Sequence, residues 1–418
     1  MSGRWLSTRL YLLREALNSF GAGLAINVLA IYYVRQAHLD ALQLVIVGTV
    51  LESSYFLFEI PTGVVADTIG RKVSVVAGAF VIGVSWVGQA SLPIFGVILL
   101  FEALRGLGEA FASGAPEAWL ASEVGDDQAA PVFLRAGQIG NASFLAGLVA
   151  SVPLAAVALT LPVLLCGAIG IATGFLLAFA MRERPFRDPV QRRSWSALAA
   201  TARDGARVVR RRPLLLTILA LELCFGAASE GYDRLWEAHL LNDIGFPALF
   251  GGDPVAWFAI VNAGSMLLGI AVMELVRRRG NTSTHGGATR FLFASEALVI
   301  AGRVVFAFAP NFGISLIGRW GPSLAAGFGP VYTAWLTRNI DPAVRATVIS
   351  AASVCNAGGQ IVGGPIVGLV GRSRGIPAAI ASTAVLLLPT LFLFGRAERQ
   401  QPGISEPRVA AIEEPAIV

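Results

Sequence analysis

The chain has 418 residues, 55% of them hydrophobic and only 14% charged. A soluble domain carries about a quarter charged residues, so this composition excludes an ordinary globular protein and points to one that crosses a membrane many times. The formal net charge of +5 is small, and the three cysteines and three histidines are scattered without ligand spacing, which gives no basis for a disulfide framework or a metal centre.

Hydropathy predicts twelve spans, at 10–34, 41–63, 73–92, 94–119, 133–157, 159–181, 214–240, 254–276, 290–309, 313–337, 346–370 and 376–395. Each approaches the roughly 20 apolar residues that a helix needs to cross the hydrocarbon. The first run follows a short basic segment. It is too long, and too interrupted by Asn18 and Asn27, for a signal-peptide core, so we expect it to remain as the first span. The seventh run is the most polar and the weakest of the twelve.

The second span carries Glu52 and Glu59 and ends in the stretch GVVADTIGRK, residues 63–72. In the fourth, Glu102, Arg105, Glu109 and Ser113 fall on one helical stripe. Arg105 can therefore reach Glu102 three residues back and Glu109 four residues on. Ionisable groups inside a span are costly and face a partner or a cavity. The stripe is either an internally paired structural cluster or a site for protons or cationic substrate. The seventh span adds Glu222, Glu230, Asp233, Arg234 and Glu237, with Glu230 and Arg234 spaced to pair. Asp233 and Glu237 lie toward the outer end and are read as solvated. Glu296 and Arg303 share a face of the ninth span, and Arg319 lies in the tenth. Both arginines are expected to pair with acids from other spans. In the eleventh, Gly363, Gly364 and Gly368 permit close helix approach, and Pro365 can kink the helix. They form either a packing face or a gate.

Of the 32 basic residues, 25 fall on one side of the predicted topology, three on the other (Arg35, Arg372 and Arg374) and four within spans. By the positive-inside rule both termini are cytoplasmic. The one long hydrophilic connection separates two groups of six spans. The predicted division is a first six-helix bundle at 1–181, a basic cytoplasmic linker at 182–213, a second bundle at 214–395 and a disordered tail at 396–418. The halves also repeat weakly. Arg105 precedes Pro116 by eleven residues and Arg319 precedes Pro330 by eleven, "AWL" follows in both, and RAGQI at Arg135 matches RATVI at Arg345. A parallel repeat of this kind places a substrate cavity between the halves near the midplane.

Six plus six helices, a basic central loop and the spacing Gly63-x-x-x-Asp67-x-x-Gly70-Arg71-Lys72 after the second span resemble the major facilitator superfamily over residues 10–396. EIPTGVVADTIGRK, SGAPEAWLASEVGD and LRAGQIG resemble its bacterial drug:proton antiporters of the tetracycline- and macrolide-efflux type. The match is imperfect. Glu102 stands where those proteins often carry an arginine, and the fifth span lacks their Gly-Pro.

The resemblance implies an all-α membrane protein of twelve transmembrane helices in two pseudo-symmetric six-helix halves, working by alternating access. It implies export of a small hydrophobic, in part cationic, molecule across the bacterial inner membrane, driven by the proton gradient. No cofactor, metal or nucleic-acid partner is expected, and a monomer in the lipid bilayer is. Glu52, Glu102, Arg105, Glu109, Glu222, Glu230 and Arg234 are the expected coupling and cavity residues. Gly63, Asp67, Gly70, Arg71, Lys72, Glu123 and Arg345 are the expected latch, with Asp67 against the start of the eleventh helix when the outside is open. Arg71 is expected to meet acids such as Glu117, Glu123 or Asp126. Import or uniport on the same fold, or a non-transporting membrane sensor, are the alternatives. An enzyme is disfavoured: no nucleophile–base pair or phosphate loop occurs.

Overall fold

A computed structural model describes residues 2–183, 213–279, 285–325, 328–340 and 345–399. Most of the predicted linker, 184–212, and of the predicted tail, 400–418, lies outside the described residues. Those described are almost wholly helical, with no strand among them.

The helices are α1 (Ser2–Ile31), prolonged by a π-turn (Tyr32–Gln36), α2 (Ala41–Thr68), α3 (Arg71–Ser91), α4 (Phe95–Ala112), α5 (Ala115–Val124), α6 (Asp126–Val157) and α7 (Leu161–Ala180). The second half holds α8 (Pro213–His239), prolonged by a π-turn (Leu240–Ile244), α9 (Pro254–Arg279), α10 (His285–Ala307), α11 (Phe312–Trp320), a 3-10 turn (Gly321–Ala325), α12 (Phe328–Asn339), α13 (Arg345–Arg374) and α14 (Ile376–Arg399). The twelve predicted spans are all present as helix. The polar seventh span is long and unbroken. The fourth and tenth are each divided in two, as α4–α5 and α11–α12.

Local chemistry explains these limits. Asp40 accepts from the Gln43 backbone N–H, and the Gln43 side chain accepts from the Asp40 N–H, a capping box that starts α2. The fourth span breaks because Gly114 takes a left-handed conformation (φ 68°) and Pro116 sits in the first turn of the next helix. Pro330 likewise lies in the first turn of α12. The eleven-residue spacing from Arg105 and from Arg319 thus marks one structural break made twice. Pro365, by contrast, lies inside an uninterrupted α13.

The packing repeats as well. In the first half α1 packs on α6 and α7, α3 on α7 and α4, and α2 on α4. In the second, α8 packs on α13 and α14, α10 on α14 and α11, and α9 on α11 and its 3-10 turn. These are the same span pairs, six spans later. The halves meet through α2 against α13 and α6 against α9, which are again equivalent pairs.

One apolar core joins the halves near the 37–40 and 372–375 turns. It includes Tyr32, Leu44, Val45 and Val47 from the first half with Leu235, Trp236, Val367 and Ile380 from the second. Toward the arginine-rich end each half keeps its own core. One is built on Tyr11, Trp119, Leu120 and Leu177, the other on Leu215, Leu292, Trp335 and Phe394. Between α6 and α9 a cavity of about 520 Å³ is lined by residues that include Gln138, Asn141, Met266 and Met273. The two halves are therefore fused at one end and carry separate cores at the other.

Candidate functional site

The fused end is held by charge as well as by apolar packing. On α8 the Arg234 Nε donates to Glu230 Oε1 at 2.8 Å. This pair lies directly against Gly48 of α2, where any side chain would strike both the Glu230 carboxylate and the Arg234 guanidinium. Gly364 of α13 also borders Glu230, together with Thr49 and Val45. Glycine at 48 and 364 thus lets an ion pair from the second half sit inside the seam between halves.

Within the first half, Glu102 is fully buried. It accepts from Arg105 Nε at 3.0 Å and from Arg105 Nη2 at 2.6 Å, and Gln89 Nε2 also donates to it. The third Arg105 nitrogen, Nη1, donates to Glu109. Tyr33 donates to the Gln89 side chain at 2.7 Å and Tyr32 to its carbonyl at 2.9 Å. The Arg105 guanidinium lies over Trp86, 4.9 Å from the ring centroid. Both spacings read from the sequence around Arg105 are used. Gln89 was not foreseen, because its partner lies thirteen residues away on another helix.

The two groups form one electrostatic unit. The field of Arg234 reaches Glu102 and Arg105. Glu52 sits half-buried among Glu230, Arg234, Glu109 and Arg105. Glu52, Glu102, Arg105, Glu109, Glu230 and Arg234 therefore come together across the seam, four carboxylates with two guanidinia. Glu222 stands apart, eight residues back along α8, a rise of about 12 Å. Its carboxylate accepts from Asn356 Nδ2 at 2.9 Å, and Gln360 donates in turn to Asn356 at 2.8 Å.

The glycines of α13 divide by face. Gly364 and Gly368 meet α2, whereas Gly363 meets Ala227 of α8. Gly371 also meets α2, at Ala41, and of the three glycines expected to form a gate Gly364 and Gly368 touch the opposite half.

At the other end Asp67 lies in the last turn of α2, and Gly70 turns the chain with φ 140°. Glu183, just beyond α7, accepts from the backbone N–H groups of Arg71 (2.6 Å) and Lys72 (3.1 Å). A carboxylate there completes the free N–H groups of α3 and favours its helix dipole. The Arg71 guanidinium donates to the Ala118 carbonyl at 2.7 Å, on the broken end of the fourth span. Glu123 is buried nearby on the same helix, α5. Arg345 opens α13 and leaves its buried Nε without a hydrogen bond. No ion pair within 4.0 Å joins it to Asp67. The latch is expected when the end away from the arginine-rich turns is open, and in this structure that end is the packed one.

One expectation is corrected. Among the described residues, Arg303 and Arg319 make no ion pair within 4.0 Å. Arg303 donates to the Ala228 carbonyl at 2.9 Å and lies over Tyr232, and Arg319 lies over Trp236. Aromatic faces and a backbone carbonyl hold these cations where acids were expected.

The model of the Major Facilitator Superfamily matches residues 15–285, about two thirds of the chain. The chain belongs to the major facilitator superfamily. It is 23% identical over 386 residues to the uncharacterized MFS-type transporter YxaM of Bacillus subtilis (strain 168), covering 90% of this chain and 94% of that protein. Among solved structures it resembles the nucleoside transporter NupG (TM-score 0.73, 14% identity, 94% of this chain and 100% of that one). It also resembles a bacterial homolog of the human lysosomal transporter Spinster in an inward-facing, unoccupied conformation (TM-score 0.70, 15% identity, 95% and 97%), and the POT family transporter PepTSo (TM-score 0.69, 13% identity, 94% and 97%). At these identities the likeness concerns the fold. A major facilitator is a multi-pass membrane transporter of small molecules and not an enzyme.

Proposed function

We propose that this major facilitator is a proton-coupled exporter of hydrophobic, often cationic small molecules, acting as a monomer in a bacterial inner membrane without a cofactor. The observation that carries the proposal is the six-membered charge cluster at the seam. It holds two more carboxylates than guanidinia, and it draws on both halves. Among the described residues Glu52 makes no hydrogen bond or ion pair, so its proton can exchange without breaking such a contact. A proton or a cationic cargo entering this cluster changes the charge at the surface along which the halves must separate. Glu52, Glu109 and Glu230 are the proposed proton carriers, and Arg105 sets the charge around them. With the arginine-rich end inside, the packed outer end makes this an inward-facing arrangement.

Everted membrane vesicles loaded by respiration test the proposal with ethidium, a hydrophobic cation. Accumulation that a protonophore abolishes supports it. Accumulation indifferent to the protonophore favours a uniporter. Nucleosides or peptides carried into right-side-out vesicles, with ethidium untouched, would support the second reading that the similarity of fold to NupG and PepTSo allows.

A further inference from the structure

A second group of charges lies in the second half beside the seam cluster, whose Arg234 reaches its Asp233 and Glu237. Asp233 and Glu237 come from α8, Glu296 and Arg303 from α10, and Arg319 from α11. Each lies in the field of its neighbours: Asp233 in that of Arg303 and Arg319, Glu237 in that of Arg319, Glu296 in that of Arg303. None of the five forms an ion pair within 4.0 Å with another. The seam arginines, by contrast, close to hydrogen-bond distance on Glu102, Glu109 and Glu230. Opposite charges inside a membrane protein that stand near one another without touching leave a gap of matched polarity between them.

Several polar atoms at this gap are unsatisfied. Arg319 Nε and the Tyr232 hydroxyl lie near one another, each buried without a hydrogen bond of good geometry, and Glu296 Oε1 is likewise unbonded farther along α10 beside Thr390. Tyr232 and Glu296 are themselves only 6% and 4% exposed. The two guanidinia are nonetheless held in place, Arg303 at 4.5 Å over Tyr232 and Arg319 at 4.4 Å over Trp236. Asp233 is exposed although Tyr232 beside it is buried. A carboxylate flanked by Arg303, Arg319 and Arg234 has polar surroundings and does not face hydrocarbon.

The mixture of signs decides what fits. A simple anion would meet three carboxylates, and a simple cation two guanidinia. A molecule carrying both an acid and an amine satisfies both sets, with an aromatic body lying along Trp236 and Tyr232. We infer that Arg319, Arg303, Asp233 and Glu237 form a cargo subsite for amphoteric aromatic molecules, the acid seated on Arg319 and Arg303 and the amine on Asp233 and Glu237. This rests on the proposed export function and narrows its cargo.

Two matched series test it by scintillation proximity binding to the purified full-length protein in lipid nanodiscs. One is norfloxacin, its methyl ester and its N-acetyl derivative; the other is tryptophan with the same two derivatives. In at least one series the parent should bind about tenfold more tightly than either derivative, the worth of one charged hydrogen-bonding contact. Arg319→Gln should bring the parent down to the level of its ester, with Arg319→Lys keeping part of the gap, and Asp233→Asn should bring it down to the level of the N-acetyl compound. Ester binding by the variants reports that they are folded. Parents that bind no better than their derivatives in both series, undetectable binding included, overturn the subsite, as does an Arg319→Gln variant that keeps the full gap. The outcome is separable from proton coupling. Preferential binding of the parents with protonophore-indifferent transport leaves the subsite standing and removes the exporter, and proton-driven ethidium export without parent preference does the reverse.

Discussion

At the scale of single residues, two carboxylates of the seam cluster in the first half have opposite surroundings. Glu102 is enclosed and bonded by Gln89 and Arg105, whereas Glu52 has no bonded partner. Removing one member of a buried ion pair costs about 3–5 kcal/mol, because the other charge is left stranded. Glu102→Gln should therefore lower the thermal midpoint of the detergent-solubilised protein markedly. Glu52→Gln should leave it within a degree or two, about the change expected where no contact is lost. Equal losses from both would show that Glu52 is a structural residue. Arg105 and its two acids were legible in the sequence because three- and four-residue spacings fix contact on a helix. Gln89 and Glu183 were not, since each acts on a partner that only the tertiary fold brings near. Arg303 and Arg319 misled for a related reason: a buried cation asks for a partner, and the spacing cannot say whether that partner is an acid or an aromatic face.

At the scale of elements, α3 owes its start to Glu183 and not to a residue of its own turn. Replacing it by glutamine keeps the shape and removes the charge. The loss should be about 1 kcal/mol, that of a cap and its dipole interaction. Amide exchange at Arg71 and Lys72 should speed up while the middle of α3 is unchanged. If those two amides keep their protection, the cap is not what holds the turn. The latch stretch was read from the sequence as tied to the fourth and eleventh spans. The structure adds a tie to the end of the sixth, where the central connection begins. The breaks in the fourth and tenth spans were only half legible. Hydropathy averages over the Gly114-Ala115-Pro116 of the fourth span and the Gly329-Pro330 of the tenth, although the matched spacing of Arg105 to Pro116 and Arg319 to Pro330 had already marked the two places as equivalent.

At the scale of the whole molecule, the repeat, the twelve spans and the two halves follow from long apolar runs and their order. The state of the transporter does not, because both states use the same helices. What separates them is which end of α2 meets α13, and here it is the end carrying Leu42, Val45 and Gly48. Leu42→Cys paired with Gly368→Cys should cross-link readily under mild oxidation, since a side chain at 368 would touch Leu42. The cross-linked protein should bind cargo from the arginine-rich side and fail to release it on the other. Free turnover after complete cross-linking would mean that the outer seam does not open during transport.

The seam cluster is the centre of this account, and it is tested most directly by separating exchange from drive. Proteoliposomes holding the Glu52→Gln, Glu109→Gln, Glu230→Gln triple variant should still exchange ethidium for ethidium. They should show no acceleration when a proton gradient is imposed, whereas the unmodified protein is accelerated about tenfold or more, the effect of one proton-transfer unit of about 1.4 kcal/mol. A triple variant that responds to the gradient as fully as the unmodified protein would contradict the assignment of proton coupling to these carboxylates.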